Sequence, residues 1–78
     1  MDDRLEITIN RRRFDRDGGV APTMTADDLA TLAGIPAQNA IVERETGPRT
    51  YEALARDSSL PMRSGLHFLV TRKFVMGG

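Results

Sequence analysis

Seventy-eight residues confine the chain to one domain, because a chain this short buries only about 60–65% of its unfolded surface and cannot divide that core in two. Hydrophobic residues at 40% and charged residues at 28% suit a globular domain rather than a disordered one, and no apolar run approaches the roughly 18–20 residues that span a bilayer. Eleven basic residues balance eleven acidic ones, so the net positive field that nucleic-acid binding needs is missing, and the lack of cysteine removes disulfides, thiolate metal sites and thiol nucleophiles.

The single histidine, His67, cannot build a structural zinc site alone, and no H-E-x-x-H, phosphate-loop or G-x-S-x-G pattern suggests another catalytic centre. The chain therefore reads as a non-enzyme that binds no cofactor of its own. The opening Met1-Asp2-Asp3-Arg4 lacks the basic start and apolar stretch of a signal peptide, which points to the cytoplasm. Ten arginines stand against one lysine, Lys73, a composition associated with GC-rich bacterial genomes.

Leu5, Ile7 and Ile9 alternate with Glu6, Thr8 and Asn10, the period of a strand with one buried face. Asn10-Arg11 supplies a turn, after which Arg12 to Asp15 returns antiparallel with Phe14 inward. The basic cluster Arg11-Arg12-Arg13 reads as a solvated hairpin turn beside Asp15 and Asp17 rather than as a patch for nucleic acid or an acidic partner. Asp15 to Gly19 reads as a loop; it resembles a calcium loop only at its start, since the later ligands are missing.

Thr25 marks a helix start, with Asp28 at the position of a capping-box acid and Met24 placed to staple onto Leu29. The helix is predicted over 26–33, with Leu29, Leu32 and Ala33 as its buried stripe; Gly34 ends it and Ile35-Pro36 prevents its continuation. Ala40 to Glu43, containing Ile41 and Val42, predicts a short strand closed by Gly47-Pro48. Arg49 to Leu54 predicts a brief edge strand around Tyr51, and Ala55 to Gly65 an irregular stretch whose Leu60 and Met62 plug the core. Leu66 to Thr71 is the strongest strand, with Leu66, Phe68 and Val70 on one face and His67, Leu69 and Thr71 on the other. So apolar a strand belongs at the centre of a sheet. This order predicts an α+β fold of the β-grasp type, a mixed sheet covered by one helix, over 1–71, with a C-terminal tail over 72–78.

The tail runs Arg72-Lys73-Phe74-Val75-Met76-Gly77-Gly78. Gly65 to Val70, followed a few residues later by Gly77-Gly78, resembles the end of ubiquitin, and the whole chain resembles bacterial ubiquitin-like domains of the multiubiquitin kind. Such domains occur in operons with E1-like, E2-like and deubiquitinase-like genes, some of them antiphage defence systems. The resemblance is specific in residues only over the last strand and tail; the helix is shorter than ubiquitin's, and the tail carries Lys73 to Met76 where ubiquitin has a shorter, arginine-bearing one. It implies a protein modifier: the Gly78 carboxylate is adenylated by an E1-like enzyme that uses ATP, passed through an E2-like enzyme, and joined to amines of target proteins. Gly77 and Gly78 are then the attachment residues, and glycine suits them because a backbone without Cβ lies close to nucleotide, enzyme wall and attacking group. Arg72, Phe74, Val75 and Met76 are expected to meet the partner enzymes, or else to fold back on the sheet edge. His67 and Leu69 match two exposed positions of ubiquitin's recognition patch, with Ile41 or Val42 as a third member. Lys73 is the only side-chain amine on which chains could form.

Two other classes fit the same residues. A sulfur carrier for cofactor biosynthesis shares the fold and the diglycine end but carries a thiocarboxylate, and a non-covalent adaptor would use the sheet and leave the tail idle.

Overall fold

Ile7 and Ile9 reach the core, each 1% exposed, while Thr8 between them is half-buried; together they form strand β1, Ile7–Ile9. This computed structural model of the chain describes residues 4–73. Leu5, expected in line with the two isoleucines, lies before the strand at φ +52° and packs against the margin of the core. Asn10 and Arg11 both take positive φ, 53° and 70°. That pair gives a two-residue turn whose twist matches its flanking strands, and the chain returns as β2, Arg12–Phe14. Phe14 is half-buried opposite Ile7, with the Arg12 guanidinium 5.4 Å from its ring centroid as a partial cover.

The segment expected as a loop after Phe14 closes into one 3-10 turn, Arg16–Gly18, in which Asp15 Oδ1 accepts a hydrogen bond from the Gly18 N–H at 3.1 Å. Gly19 follows at φ +112°, and a Cβ there would come 2.9 Å from Leu32 Cδ1. Gly19→Ala is therefore expected to cost about 1–3 kcal/mol, chiefly because φ +112° is strained for a residue with a Cβ; the end of the half-buried Leu32 side chain can shift to admit the methyl. A lower urea midpoint with an unchanged slope would show it.

Strand β3, Thr23–Thr25, leads directly into helix α1, Ala26–Leu32. The capping box forms as read: Thr25 Oγ1 accepts from the Asp28 N–H at 3.1 Å, and Asp28 Oδ2 accepts from the Thr25 N–H at 2.9 Å. Thr25→Ala is expected to cost about 1 kcal/mol, measured by equilibrium denaturation. At the other end the Gly34 N–H donates to Thr31 O and the Ile35 N–H to Ala30 O, both at 3.0 Å, with Gly34 at φ +84°. This doubled closure satisfies carbonyls that the helix leaves open. The buried stripe is Ala26, Leu29 and Ala30, whereas Leu32 and Ala33 are only half-buried. The helix is thus turned relative to the expected stripe, because two alanines let its backbone approach the sheet and the larger Leu32 is displaced to the margin above Gly19.

After a second 3-10 turn, Ala37–Asn39, strand β4 runs Ala40–Gly47, four residues beyond the expected end at Glu43. It turns through Pro48-Arg49, with Arg49 at φ +60°, into the exposed strand β5, Thr50–Ala53. The stretch expected to be irregular contains strand β6, Ser59–Pro61, which pairs antiparallel with β3 in a separate two-stranded sheet. Met62 is buried and Leu60 half-buried against the core, and Arg56 ties the stretch to the helix start through two 3.1 Å bonds to the Asp27 carboxylate. Those bonds and the attraction of Asp27 raise the pKa of Arg56.

The last strand, β7, spans His67–Arg72. The main sheet has the order β2-β1-β7-β4-β5, with β7 parallel to β1 and antiparallel to β4. Its central place matches the expectation from its apolar composition. Phe68 and Val70 join Ile7, Ile9, Val42 and Leu29 in one core between sheet and helix. The architecture is a small α+β fold in which one helix packs on a mixed sheet. Among the described residues no helix is long and apolar enough to cross a membrane.

Candidate functional site: the anchored last strand and the open sheet face

Strand β1 is too short to accompany β7 to its end. Its ladder stops at Ile9 opposite Phe68, and the chain then turns away into the hairpin. Asn10 fills the gap with its side chain. Its main-chain N–H donates to Phe68 O at 3.1 Å, its Nδ2 donates to Val70 O at 2.8 Å, and its Oδ1 accepts from the Val70 N–H at 2.8 Å. The carboxamide stands where the next peptide of a longer β1 would be, and it satisfies both main-chain groups of a residue that is 2% exposed. On the opposite side β4 accompanies β7 to Arg72, which pairs with Ala40, and the Lys73 N–H donates to Asn39 O at 2.6 Å. Arg72, expected as the first residue of the tail, is the last residue of β7.

The face of the main sheet away from α1 is uncovered. Strand alternation places Arg13, Thr8, His67, Leu69, Ile41, Glu43, Glu45 and Tyr51 on it. His67 is exposed and Leu69 half-buried, as their alternation with Phe68 and Val70 predicts. Of the two residues proposed as a third member of this surface, Ile41 is 40% exposed and belongs to it. Val42 does not: at 5% exposure it is part of the core, because the strand's period sends neighbouring side chains to opposite faces. Tyr51 adds a 43% exposed ring. Thr8, Arg13, Glu45, Tyr51, His67 and Leu69 share the walls of a concavity of about 500 Å³.

What this face offers is contact: guanidinium groups at the β1–β2 side, Thr8, His67 and Leu69 in the middle, and the carboxylates of β4 with Ile41 and Tyr51 on the other side. Among the described residues no group of three or more histidine, aspartate or glutamate side chains is placed to hold a metal ion. Gly77, Gly78, Phe74, Val75 and Met76 lie outside the described residues. The structure thus places His67, Leu69 and Ile41 on one face of the sheet, Ile41 on β4 and the other two on β7, which ends at Arg72. Asn10 and Tyr51 were not read as parts of this region. The bonds of Asn10 join residues 60 apart in sequence, and nothing local distinguishes such an asparagine from one that only turns the chain.

No protein-family model, no curated protein and no solved structure matches the chain.

Proposed function

We propose that the chain is a ubiquitin-like protein modifier of the β-grasp type, with the Gly78 carboxylate as its reactive group. The observation that carries the reading is the anchoring of β7. The last strand lies at the centre of the sheet, held by Asn10 on one side and by the Asn39 carbonyl on the other as far as Lys73. Residues 74–78 therefore start from a fixed point. The parallel pairing of first and last strands, with a helix across one face, is also the arrangement a β-grasp fold requires.

In this reading a Gly78 carboxylate oxygen attacks the α-phosphorus of ATP on an E1-like enzyme, forming an acyl adenylate and releasing pyrophosphate. An enzyme thiol displaces AMP to give a thioester, which an E2-like enzyme takes over. A target amine then attacks the thioester carbonyl, an amide forms and the thiol leaves. Glycine at 77 and 78 admits the backbone to the nucleotide and nucleophile, while Arg72, Phe74, Val75 and Met76 meet the activating enzyme. A deubiquitinase-like protease reverses the bond by hydrolysis. His67, Leu69 and Ile41 form the surface that partners read, and bacterial antiphage defence is the setting that the family resemblance supplies.

The test is incubation with ATP and the proteins encoded beside it, followed by intact-protein mass spectrometry, with a Gly78 deletion in parallel. A Gly78-dependent adenylate or enzyme thioester is the expected result. With a sulfide or persulfide donor added, displacement of AMP by sulfur to give a Gly78 thiocarboxylate would make the chain a sulfur carrier, and the absence of any acyl product would leave the sheet as a non-covalent adaptor.

A further inference from the structure

The uncovered sheet face carries charge of both signs, sorted by strand. Arg11 and Arg13 lie at the β1–β2 side, and Glu43 and Glu45 lie on β4. None of the four makes an ion pair among the described residues, whereas Arg44 and Arg56 of the same chain reach Glu52 and Asp27. Between the two charged flanks lie Thr8, His67 and Leu69, with the exposed Ile41 and Tyr51 towards the acidic side. An acidic ligand laid across this face would meet its own charge at Glu43 and Glu45. A basic ligand would meet its own at Arg11 and Arg13. The surface that matches both flanks at once is one with the same sorting in the opposite sense.

We propose that this face is an isologous interface, closed by a second copy of the chain. Self-complementarity is what a twofold axis demands of a patch. Strands β2 and β4 are three places apart in the sheet, so the charged flanks are separated by about 14 Å at the usual interstrand spacing of about 4.8 Å. An axis lying in the interface, parallel to the strands and midway between β1 and β7, carries each flank of one copy over the opposite flank of the other. Arg13 pairs with Thr8, Thr8 with His67, and Glu45 with Tyr51, and the antiparallel pairing of Arg44 with Phe68 brings Glu45 level with His67, so the five form one row across the sheet. The axis keeps this row in register and sets Arg13 of each copy against Glu45 of the other, with Arg11 carried towards Glu43. The sheets pack face to face with strands aligned, and the formal net charge of zero means that no overall repulsion opposes the approach. So small a face places the dimer in the weak, concentration-dependent class. Its closure hides His67 and Leu69, so self-association and reading by a partner exclude one another. The interface is built from described residues alone, so the proposal stands or falls independently of the modifier reading.

The test uses the full chain, with Arg13→Glu and Glu45→Arg made separately. Both side chains are exposed, so the fold is expected to survive, and circular dichroism checks it. In sedimentation across a concentration series the wild type is expected to rise towards twice the monomer mass, less so at high salt. Each variant alone places like charges opposite each other and is expected to associate about tenfold more weakly or worse. An equimolar mixture of the two restores both pairs and is expected to recover the wild-type association. A wild type that stays monomeric throughout, variants that associate as well as it does, or a mixture that stays monomeric would each overturn the proposal. So would dilution-dependent NMR shifts centred away from Leu69 and Ile41.

Discussion

Truncating Leu29 to alanine is expected to destabilise the domain by about 2–5 kcal/mol, the range for a fully buried leucine whose surroundings close only partly on the cavity. Leu29 is 0% exposed and sits where the helix meets the sheet. Small domains hold roughly 0.05–0.15 kcal/mol of stability per residue, or about 4–12 kcal/mol for this length, so the substitution removes a large share of the total. The melting temperature should fall by about 4–8 °C for each kcal/mol lost. Leu32→Ala is the internal comparison. Leu32 is half-buried at the helix margin, and its truncation is expected to cost clearly less. Urea denaturation of the two variants orders them; equal losses would mean that the helix presents the stripe Leu29, Leu32 and Ala33 to the sheet.

The second large effect belongs to Asn10. Asn10→Ala leaves the N–H and the carbonyl of Val70 without partners at the centre of the sheet, at about 1–3 kcal/mol for each unsatisfied group, and it also places alanine at φ +53°. Asn10→Gly separates the two contributions, since glycine tolerates the turn but has no carboxamide. If the side chain clamps β7, glycine should recover only the conformational part, and the Val70 amide should lose protection from hydrogen exchange in both variants. Full recovery by glycine would reduce Asn10 to a turn residue. The consequence extends beyond stability, because the same bonds anchor the strand from which residues 74–78 start. In the modifier reading proposed above, a loosened β7 would present those residues to an activating enzyme less well.

Legibility in the sequence followed the range of the interactions. Ile7 and Ile9, the Asn10-Arg11 turn, the Thr25–Asp28 capping box, the stop at Gly34 and the alternation through Phe68 and Val70 depend on neighbours a few residues apart, and each appears in the structure. The pairing of β3 with β6 was not legible. Two three-residue strands are too short to show a period, and Pro61 argues against a strand unless it sits at an edge. The extension of β4 past Glu43 is not legible because Glu43 to Thr46 is polar throughout; these residues extend because β5 pairs along them as far as Gly47, with β7 alongside only as far as Arg44, not because of their own pattern. The helix stripe differs for a related reason, since Ala26 and Ala30 carry little weight in an apolar pattern yet are fully buried, at 1% and 0% exposure. On the uncovered face, alternation found His67 and Leu69. It could not choose between Ile41 and Val42 without the register that β7 supplies.

The modifier reading turns on one bond, between the Gly78 carbonyl and an amine of another protein. The most direct measurement is peptide mass spectrometry of the tagged chain, purified under denaturing conditions from its own host and digested with trypsin. Cleavage after Lys73 would leave Phe74-Val75-Met76-Gly77-Gly78 as a branch on the modified residue of each target. Target lysines bearing this five-residue branch, lost when Gly78 is deleted, are the expected result. Recovery of the chain only with a free or sulfur-bearing Gly78, and with no branched peptide, would contradict it.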